Sequence, residues 1–252
     1  MAGPTIKYSI TIYLVWLSAI SIVCCTPTKE RQPKKEPSPG VNERGYIVKV
    51  GDHSPDFSLE FPDGSATSFE QLKGNVIMLQ FTASWCSVCR EEMPHIEKEI
   101  WRPYKRAGLK LIGIDRDEAA DIVTRFGKQM KISYPLSLDI GAQVFHQFAA
   151  EGTGVTRNII INPEGKIVFL TRLYDPKEFK EMVRVIHSQL EEKNTLEVRG
   201  LGNKISALQS ALGSQRYSSA ATYDKKRLLL KLKNELRKLN QLQSYLNRIK
   251  TD

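Results

Sequence analysis

Two cysteines three positions apart are the residues best suited to chemistry in this chain. They lie in the segment Trp85-Cys86-Ser87-Val88-Cys89, which follows an apolar run of strand type and precedes a stretch typical of a helix. A sulfur at such a junction lies near unpaired amide N–H groups and the positive end of the helix dipole, and both lower the pKa of a thiol. We therefore expect Cys86 to be the attacking thiolate.

The second cysteine, Cys89, is placed to resolve a mixed disulfide formed at Cys86. Cys89 lies one helical turn beyond Cys86 on the same face, close enough to attack a mixed disulfide at Cys86. The pair can therefore alternate between a dithiol and a Cys86–Cys89 disulfide and carry two electrons with no other cofactor. A structural zinc site is the competing interpretation, but it needs four ligands, and no second Cys or His pair has suitable spacing. We expect no metal.

The amino-acid sequence on both sides of the cysteines predicts a β-α-β unit. Val76–Thr82 and Leu109–Asp115 are short β-favouring apolar runs, and Glu91–Tyr104 between them is helical in character. Pro94 lacks a backbone N–H and should bend that helix near its first turns. The cysteine pair then lies between the first strand and the helix.

The rest of the body continues the alternation of strands and helices. It predicts a helix over Glu118–Met130, a strand over Tyr134–Leu138, a hairpin of Asn158–Ile161 with Ile167–Thr171, and a closing helix that ends near Leu190. Turn residues upstream of Val76 indicate an added hairpin before the first main strand. The fold class is α/β.

Several ordered motifs resemble one family, the TlpA/ResA-like thioredoxins. The motifs are Val50-Gly51-Asp52, Pro55-Asp56-Phe57, Leu72-Lys73-Gly74, Phe81, Trp85-Cys86-Ser87-Val88-Cys89-Arg90 and Pro94. The resemblance implies a thioredoxin fold, that is, a central mixed β-sheet flanked by helices, with an N-terminal β-hairpin addition. It also implies an exported, membrane-tethered thiol:disulfide oxidoreductase that reduces, or less often oxidises, protein disulfides.

The same resemblance assigns roles to two residues near the cysteines. Glu60 matches an acidic residue that lies under the pair and assists proton transfer; the alternative is a solvated glutamate at the end of a strand. Trp85 is expected to pack beside the active site, and its alternative is an ordinary core position.

One position departs from the family pattern. Most members have a cis-proline facing the cysteines, and counting back from Gly165 places Thr156 there. A threonine must either hold a costly cis bond or relax to trans, which puts substrate docking in question. The neighbouring Arg157 could supply positive charge to the thiolate, or it could be an exposed loop arginine.

A thiol peroxidase is an alternative on the same fold. Such a family would need a proline and a hydroxyl residue at set distances before the nucleophilic cysteine, and Leu79 and Ala83 occupy those places. Neither suits that role.

The first 25 residues have the form of an export signal. Lys7 precedes the uncharged stretch Tyr8–Val23, which is short for a spanning helix. Ile22-Val23-Cys24-Cys25 resembles the lipidation site of bacterial lipoproteins, with Cys25 the favoured acceptor and Cys24 the alternative; an uncleaved signal anchor also remains open. Residues 26–45, rich in Pro, Lys and Glu, should form an extended tether. Both interpretations place the protein in the periplasm or extracytoplasmic space.

The excess positive charge lies in the C-terminal fifth of the chain. Residues 196–252 contain 12 Lys and Arg against 4 Asp and Glu, whereas the preceding part is nearly balanced. Apolar residues recur every three or four positions from Leu229 to Ile249, and Ser214–Thr222 could be the turn of a helical hairpin. We therefore predict a thioredoxin-like domain over 46–193 and a basic helical extension over 196–252.

Three interpretations of the extension remain open. It could fold back on the thioredoxin domain, pair with another copy of the chain, or rest on an anionic membrane, whereas export argues against nucleic acid. The predicted function is reduction of protein disulfides, with a membrane electron-transfer partner restoring the dithiol. The alternative is a binding or assembly module that acts through the basic tail.

Overall fold

The computed structural model describes Gly3, residues 41–213 and residues 219–249. The predicted export signal, the cysteines Cys24 and Cys25, most of the tether and part of the predicted turn at 214–222 lie outside these residues.

In the described part of the chain, seven strands form one mixed sheet. They are β1 (Ser58–Glu60), β2 (Ala66–Ser68), β3 (Ile77–Thr82), β4 (Lys110–Arg116), β5 (Leu136–Asp139), β6 (Arg157–Ile161) and β7 (Ile167–Arg172). The spatial order is β2-β1-β5-β4-β3-β6-β7, with β3, β4 and β5 parallel to one another and the other pairings antiparallel. The N-terminal hairpin β1–β2 extends one edge of the sheet, as predicted.

Within the residues that the structure describes, seven α-helices accompany the sheet. They are α1 (Phe69–Leu72), α2 (Ser87–His95), α3 (Arg102–Tyr104), α4 (Ala120–Met130), α5 (Phe145–Phe148), α6 (Pro176–Gly213) and α7 (Ser219–Leu246). A π-helical turn, Ile96–Trp101, joins α2 to α3, and short 3-10 turns cover Lys105–Ala107 and Ile140–Ala142.

The helix after the cysteines begins earlier than the sequence predicts. It begins at Ser87 instead of Glu91, because the Cys86 side chain accepts the Cys89 N–H and so caps the first turn. Pro94 lies inside α2, and the backbone passes into the π-helical turn two residues later. Pro94 was predicted to bend the helix. Pro94 has no backbone N–H to donate, and the helix instead widens into a π-helical turn just after it.

Two apolar layers, one on each face of the sheet, form the core. One contains Phe57, Phe81, Phe145 and Phe148 together with the two cysteines of the pair. The other contains buried residues of α2, α4, α6 and the end of α7. Alternate residues of β3 supply both layers, as expected of a strand covered on both faces.

The C-terminal extension is an antiparallel pair of long helices. The 38 residues of α6 run unbroken through the predicted boundary at 193–196, a length of about 57 Å. At the end of α7, Leu246 is fully buried in the second core layer, and the Tyr245 hydroxyl donates to the Pro103 carbonyl oxygen at 2.8 Å. The extension therefore folds back on the thioredoxin domain. No helix in the described part of the chain is long and apolar enough to cross a membrane.

Candidate active site

The predicted disulfide joins Cys86 and Cys89 at the junction of β3 and α2. Cys86 Sγ accepts the backbone N–H of Cys89 at 3.2 Å. Cys86 is 8% exposed, whereas Cys89 is fully buried. The less buried sulfur, which also has a helix-terminal N–H donor, is the natural attacking group, and the fully buried sulfur one turn later is the natural resolving group.

Thr156 faces both sulfurs. Its hydroxyl oxygen lies 3.1 Å from Cys86 Sγ and 3.2 Å from Cys89 Sγ, and the residue is 3% exposed. The peptide bond before Thr156 is trans, so this residue has taken the second of the two expected conformations. In the family that the sequence resembles, a cis-proline occupies this position. In this chain Thr156 occupies it and presents a hydroxyl group to the sulfurs.

The residues that flank the disulfide on the surface differ in exposure. Trp85 is 65% exposed, which excludes the core alternative for this side chain. Ser87 is exposed and Val88 is half-buried against the first core layer. The disulfide therefore has an exposed aromatic ring directly before it, available to contact a substrate.

Arg157 is fully buried, so the expectation of an exposed loop arginine is wrong. Its guanidinium lies 4.4 Å from the centre of the Tyr46 ring and donates to the Arg44 carbonyl oxygen at 2.7 Å. Burial lowers the pKa of Arg157. The ring and the carbonyl stabilise this cation beside Thr156 without any carboxylate partner among the contacts of the described residues.

Glu92 is a buried acid on the helix that follows Cys86, and the sequence interpretation missed it. It lies three residues after Cys89 on α2, is 1% exposed, and accepts a hydrogen bond from the Asn158 side-chain amide at 2.6 Å. Burial raises the pKa of Glu92 to about 8, although the bond from Asn158 favours the ionised form. Its spacing from Cys89, one helical turn, is the signal that could have revealed it.

Glu60, the acid expected under the cysteines, lies elsewhere. It is exposed at the end of β1 and pairs with Leu138 of β5. Because β5 and β4 separate β1 from β3, Glu60 is about three strand spacings, roughly 14 Å, from the strand that leads into the cysteines. The structure therefore does not bring Glu60 to the cysteines.

A second buried acid lies under the loop before the disulfide. Asp115 on β4 is fully buried, and burial together with the neighbouring Glu118 raises its pKa to about 8, so it holds a proton at neutral pH. Glu118 accepts both the backbone N–H and the hydroxyl of Ser84, each at 2.5 Å. Glu118 was predicted to begin α4, but that helix begins at Ala120 because Glu118 instead anchors the loop that leads to Cys86.

Comparison with known proteins agrees with this site. A model of the AhpC/TSA family matches residues 50–170. A solved structure assigned as a protein disulfide isomerase from Bacteroides thetaiotaomicron is 51% identical, covers 58% of this chain and 92% of its own, and superposes with a TM-score of 0.57. The thiol-disulfide oxidoreductase ResA of Halalkalibacterium halodurans is 30% identical over 122 residues, which are 48% of this chain and 68% of that protein. The chain belongs to the thioredoxin-like thiol-disulfide oxidoreductases.

A more distant structure supports the fold of this oxidoreductase. A DsbE-type thiol:disulfide interchange protein from Chlorobium tepidum is 23% identical, covers 57% of this chain and 99% of its own, and has a TM-score of 0.51. At that identity the similarity concerns the fold alone. The thioredoxin fold predicted from the motifs is confirmed.

The oxidoreductase lacks the side chains that a peroxidase site would need before the cysteine. Leu79 and Ala83 are both fully buried and apolar, so neither offers a polar group to a peroxide. Within residues 41–213 and 219–249, no group of three or more His, Cys, Asp or Glu side chains could hold a metal ion.

Proposed function

We propose that this oxidoreductase reduces protein disulfides outside the cytoplasm. The observation that carries the proposal is the Cys86 sulfur, which accepts the Cys89 N–H at the start of α2 and belongs to the less buried cysteine of the pair. A donor in that position stabilises the thiolate over the neutral thiol. The reduced enzyme would therefore hold a nucleophile ready for an incoming disulfide.

The reaction would proceed in two exchanges. The Cys86 thiolate attacks one sulfur of the substrate disulfide, forms a mixed disulfide and releases the other substrate sulfur as a thiolate. Cys89 then attacks Cys86 Sγ, which frees the second substrate sulfur and leaves the Cys86–Cys89 disulfide seen here. A membrane electron-transfer partner would return two electrons and restore the dithiol.

In its ionised form, which is the minor form at neutral pH, Glu92 would accept the proton that Cys89 must lose before the second exchange. Its pKa of about 8 is close to that of an ordinary thiol, so proton transfer between the two groups needs little energy. It lies on the same helix, one turn from Cys89. We assign to Glu92 the role that the resemblance had given to Glu60.

The direction of electron flow is tested by the reduction potential of the couple. A value near that of thioredoxin, about −270 mV, would support a reductase, whereas a value near −120 mV would reverse the assignment. Insulin reduction with a dithiol donor tests the exchange itself. Cys86→Ser should abolish that activity, and a variant that kept it would overturn the proposal.

The tether and its anchor complete this proposal. We propose that residues 1–25 export the chain, that Cys25 carries a lipid, and that residues 26–45 separate the membrane from the catalytic domain, residues 46–193. Labelling cells with a radioactive fatty acid tests the lipid. Cys25→Ala should lose the label and Cys24→Ala should keep it; the opposite result would move the acceptor to Cys24.

The extension, residues 196–252, offers a surface for self-association. Leu228 and Leu230 of α7 are exposed, but Lys226, Arg227 and Lys231 beside them are exposed cations. Two such faces repel each other, so association should be weaker at low salt and stronger when salt screens the charges. Sedimentation at two salt concentrations tests this; a monomer at both would exclude self-association through α7.

A further inference from the structure

Among the described residues, the Thr156 hydroxyl has only sulfur atoms for hydrogen-bond partners. Among the hydrogen bonds of the described residues, it contacts Cys86 Sγ and Cys89 Sγ and no other group. Thr156 is 3% exposed, so its hydroxyl has little access to bulk water. Because buried hydroxyl groups donate their hydrogen, the O–H bond of Thr156 is directed at the disulfide.

We propose that Thr156 is a positioning residue that donates a hydrogen bond to the Cys86 thiolate of the reduced enzyme, and so sets the acidity of that thiol and the reduction potential of the pair. The proposal rests on the exchange reaction described above. A disulfide sulfur is a weak acceptor, whereas a thiolate carries a full charge and accepts a stronger hydrogen bond. The hydroxyl therefore stabilises the reduced enzyme more than the oxidised one.

The electron balance shows where this bond acts. When a dithiol reduces the enzyme, the Cys86–Cys89 bond breaks and the donor becomes a disulfide, which supplies two electrons. The donor gives up two protons: one goes to Cys89 and the other to the solvent, so that the negative charge remains on Cys86 when the pH exceeds the pKa of that thiol. At that stage Cys86 Sγ has two donors, the Cys89 N–H and the Thr156 O–H.

Other charged groups near the pair are not altered by a substitution at Thr156. They are Glu92 and Arg90 on α2, Asp115 on β4, Glu118 under Ser84, and Arg157 and Arg172 at the paired ends of β6 and β7. Their effects on the Cys86 thiol are common to the wild type and to a Thr156 variant. A difference between the two therefore reports the hydroxyl.

Thr156→Val tests the proposal, because valine keeps the shape of threonine and replaces the hydroxyl by a methyl group. Thr156→Ser is the matched control, since it keeps the hydroxyl and loses the methyl. The ultraviolet absorbance of the thiolate gives the pKa of Cys86, and equilibration with dithiothreitol gives the potential. We expect Thr156→Val to raise that pKa by about one unit. The equilibrium constant for reduction should fall about tenfold, or about 30 mV.

The pH dependence of the reduction potential distinguishes an effect of the lost hydrogen bond in Thr156→Val from an effect of altered packing. The difference in potential should be present where Cys86 is ionised and should vanish at low pH, where the neutral thiol no longer needs the donor. A difference that persists at low pH, an unchanged pKa in Thr156→Val, or a Thr156→Ser variant that behaves like Thr156→Val would each overturn the proposal. Thr156→Ala gives the same measurement if valine prevents folding. Activity in Cys86→Ser would contradict the exchange reaction instead, so the two failures are distinct.

Discussion

The carboxyl group of Glu92 accepts a hydrogen bond of 2.6 Å from the side-chain amide of Asn158. The same amide donates to the Thr171 hydroxyl at 2.9 Å, so it links the active-site helix to β6 and β7. The second oxygen of Glu92 has no donor among the described residues. That oxygen is the natural site for a proton, and the proton keeps a buried carboxyl neutral.

Replacing Glu92 by glutamine should change how stability depends on pH. The folded state holds the proton up to about pH 8, whereas an unfolded glutamate releases it near pH 4.5. Stability from this group is therefore present below pH 4.5 and is lost as the pH rises through 8, by about 1.4 kcal/mol for each pKa unit. Urea unfolding of oxidised Glu92→Gln should show a flatter profile from pH 5 to 8.

The neighbouring Glu91 provides the control for that experiment. Glu91 lies on the same turn of α2 but is exposed. Glu91→Gln should follow the wild-type profile. Equal slopes in Glu92→Gln and wild type would mean that Glu92 is ionised in the folded protein.

The sequence predicted the disulfide and the order of the elements, but not the acids around the disulfide. The role of Cys86 and Cys89 could be predicted because their spacing alone places two sulfurs on one face of a helix. Asp115 and Glu118 were not, because their proximity to Ser84 depends on the pairing of β4 with β3 and on a loop conformation. Long-range contacts of this kind leave no periodic signal in the chain.

Replacing Asp115 by asparagine should stabilise the protein at alkaline pH. The raised pKa of Asp115 means that its contribution to stability is present below pH 3.8 and is lost as the pH rises through about 8. Ionised Asp115 would then repel Glu118, the anchor of Ser84. Asparagine keeps a donor and cannot ionise. We expect the stability of Asp115→Asn relative to wild type to increase from about pH 4 to about pH 8 and to level off above that, in urea unfolding.

An exposed aspartate serves as the control for Asp115. Asp121 lies on α4 and forms an exposed ion pair with Arg125. Asp121→Asn should leave the alkaline profile unchanged. If Asp115→Asn gave the same profile as Asp121→Asn, the buried acid would not control stability in this range.

The extension shows a different limit of sequence analysis. The spacing of apolar residues predicted two helices, and both are present. The same spacing could not show that α6 continues from the thioredoxin domain, or that Leu246 returns to its core. A stripe of leucines identifies a face that needs a partner, whereas the identity of the partner depends on the tertiary fold.

Replacing Leu246 by alanine should destabilise the whole protein. Leu246 is fully buried in the core layer that contains α2 and α6, and removal of a buried leucine costs about 2–5 kcal/mol. Leu230→Ala is the matched control, because Leu230 is 62% exposed on the same helix and its loss should cost less than about 0.5 kcal/mol. A small loss in both variants would show that α7 does not contribute to the core in solution.

Replacing Arg157 by lysine should be costly although the charge is kept. The planar guanidinium lies on the Tyr46 ring and also donates to the Arg44 carbonyl oxygen. Lysine cannot reproduce both contacts, and its compact ammonium group is more costly to remove from water. We expect a loss of about 2–4 kcal/mol in thermal or urea unfolding, since a buried cation–π contact and a charged hydrogen bond each contribute about 2 kcal/mol. Arg125→Lys on the exposed face of α4 should have no measurable effect, and an equally small effect at Arg157 would mean that its burial does not persist in solution.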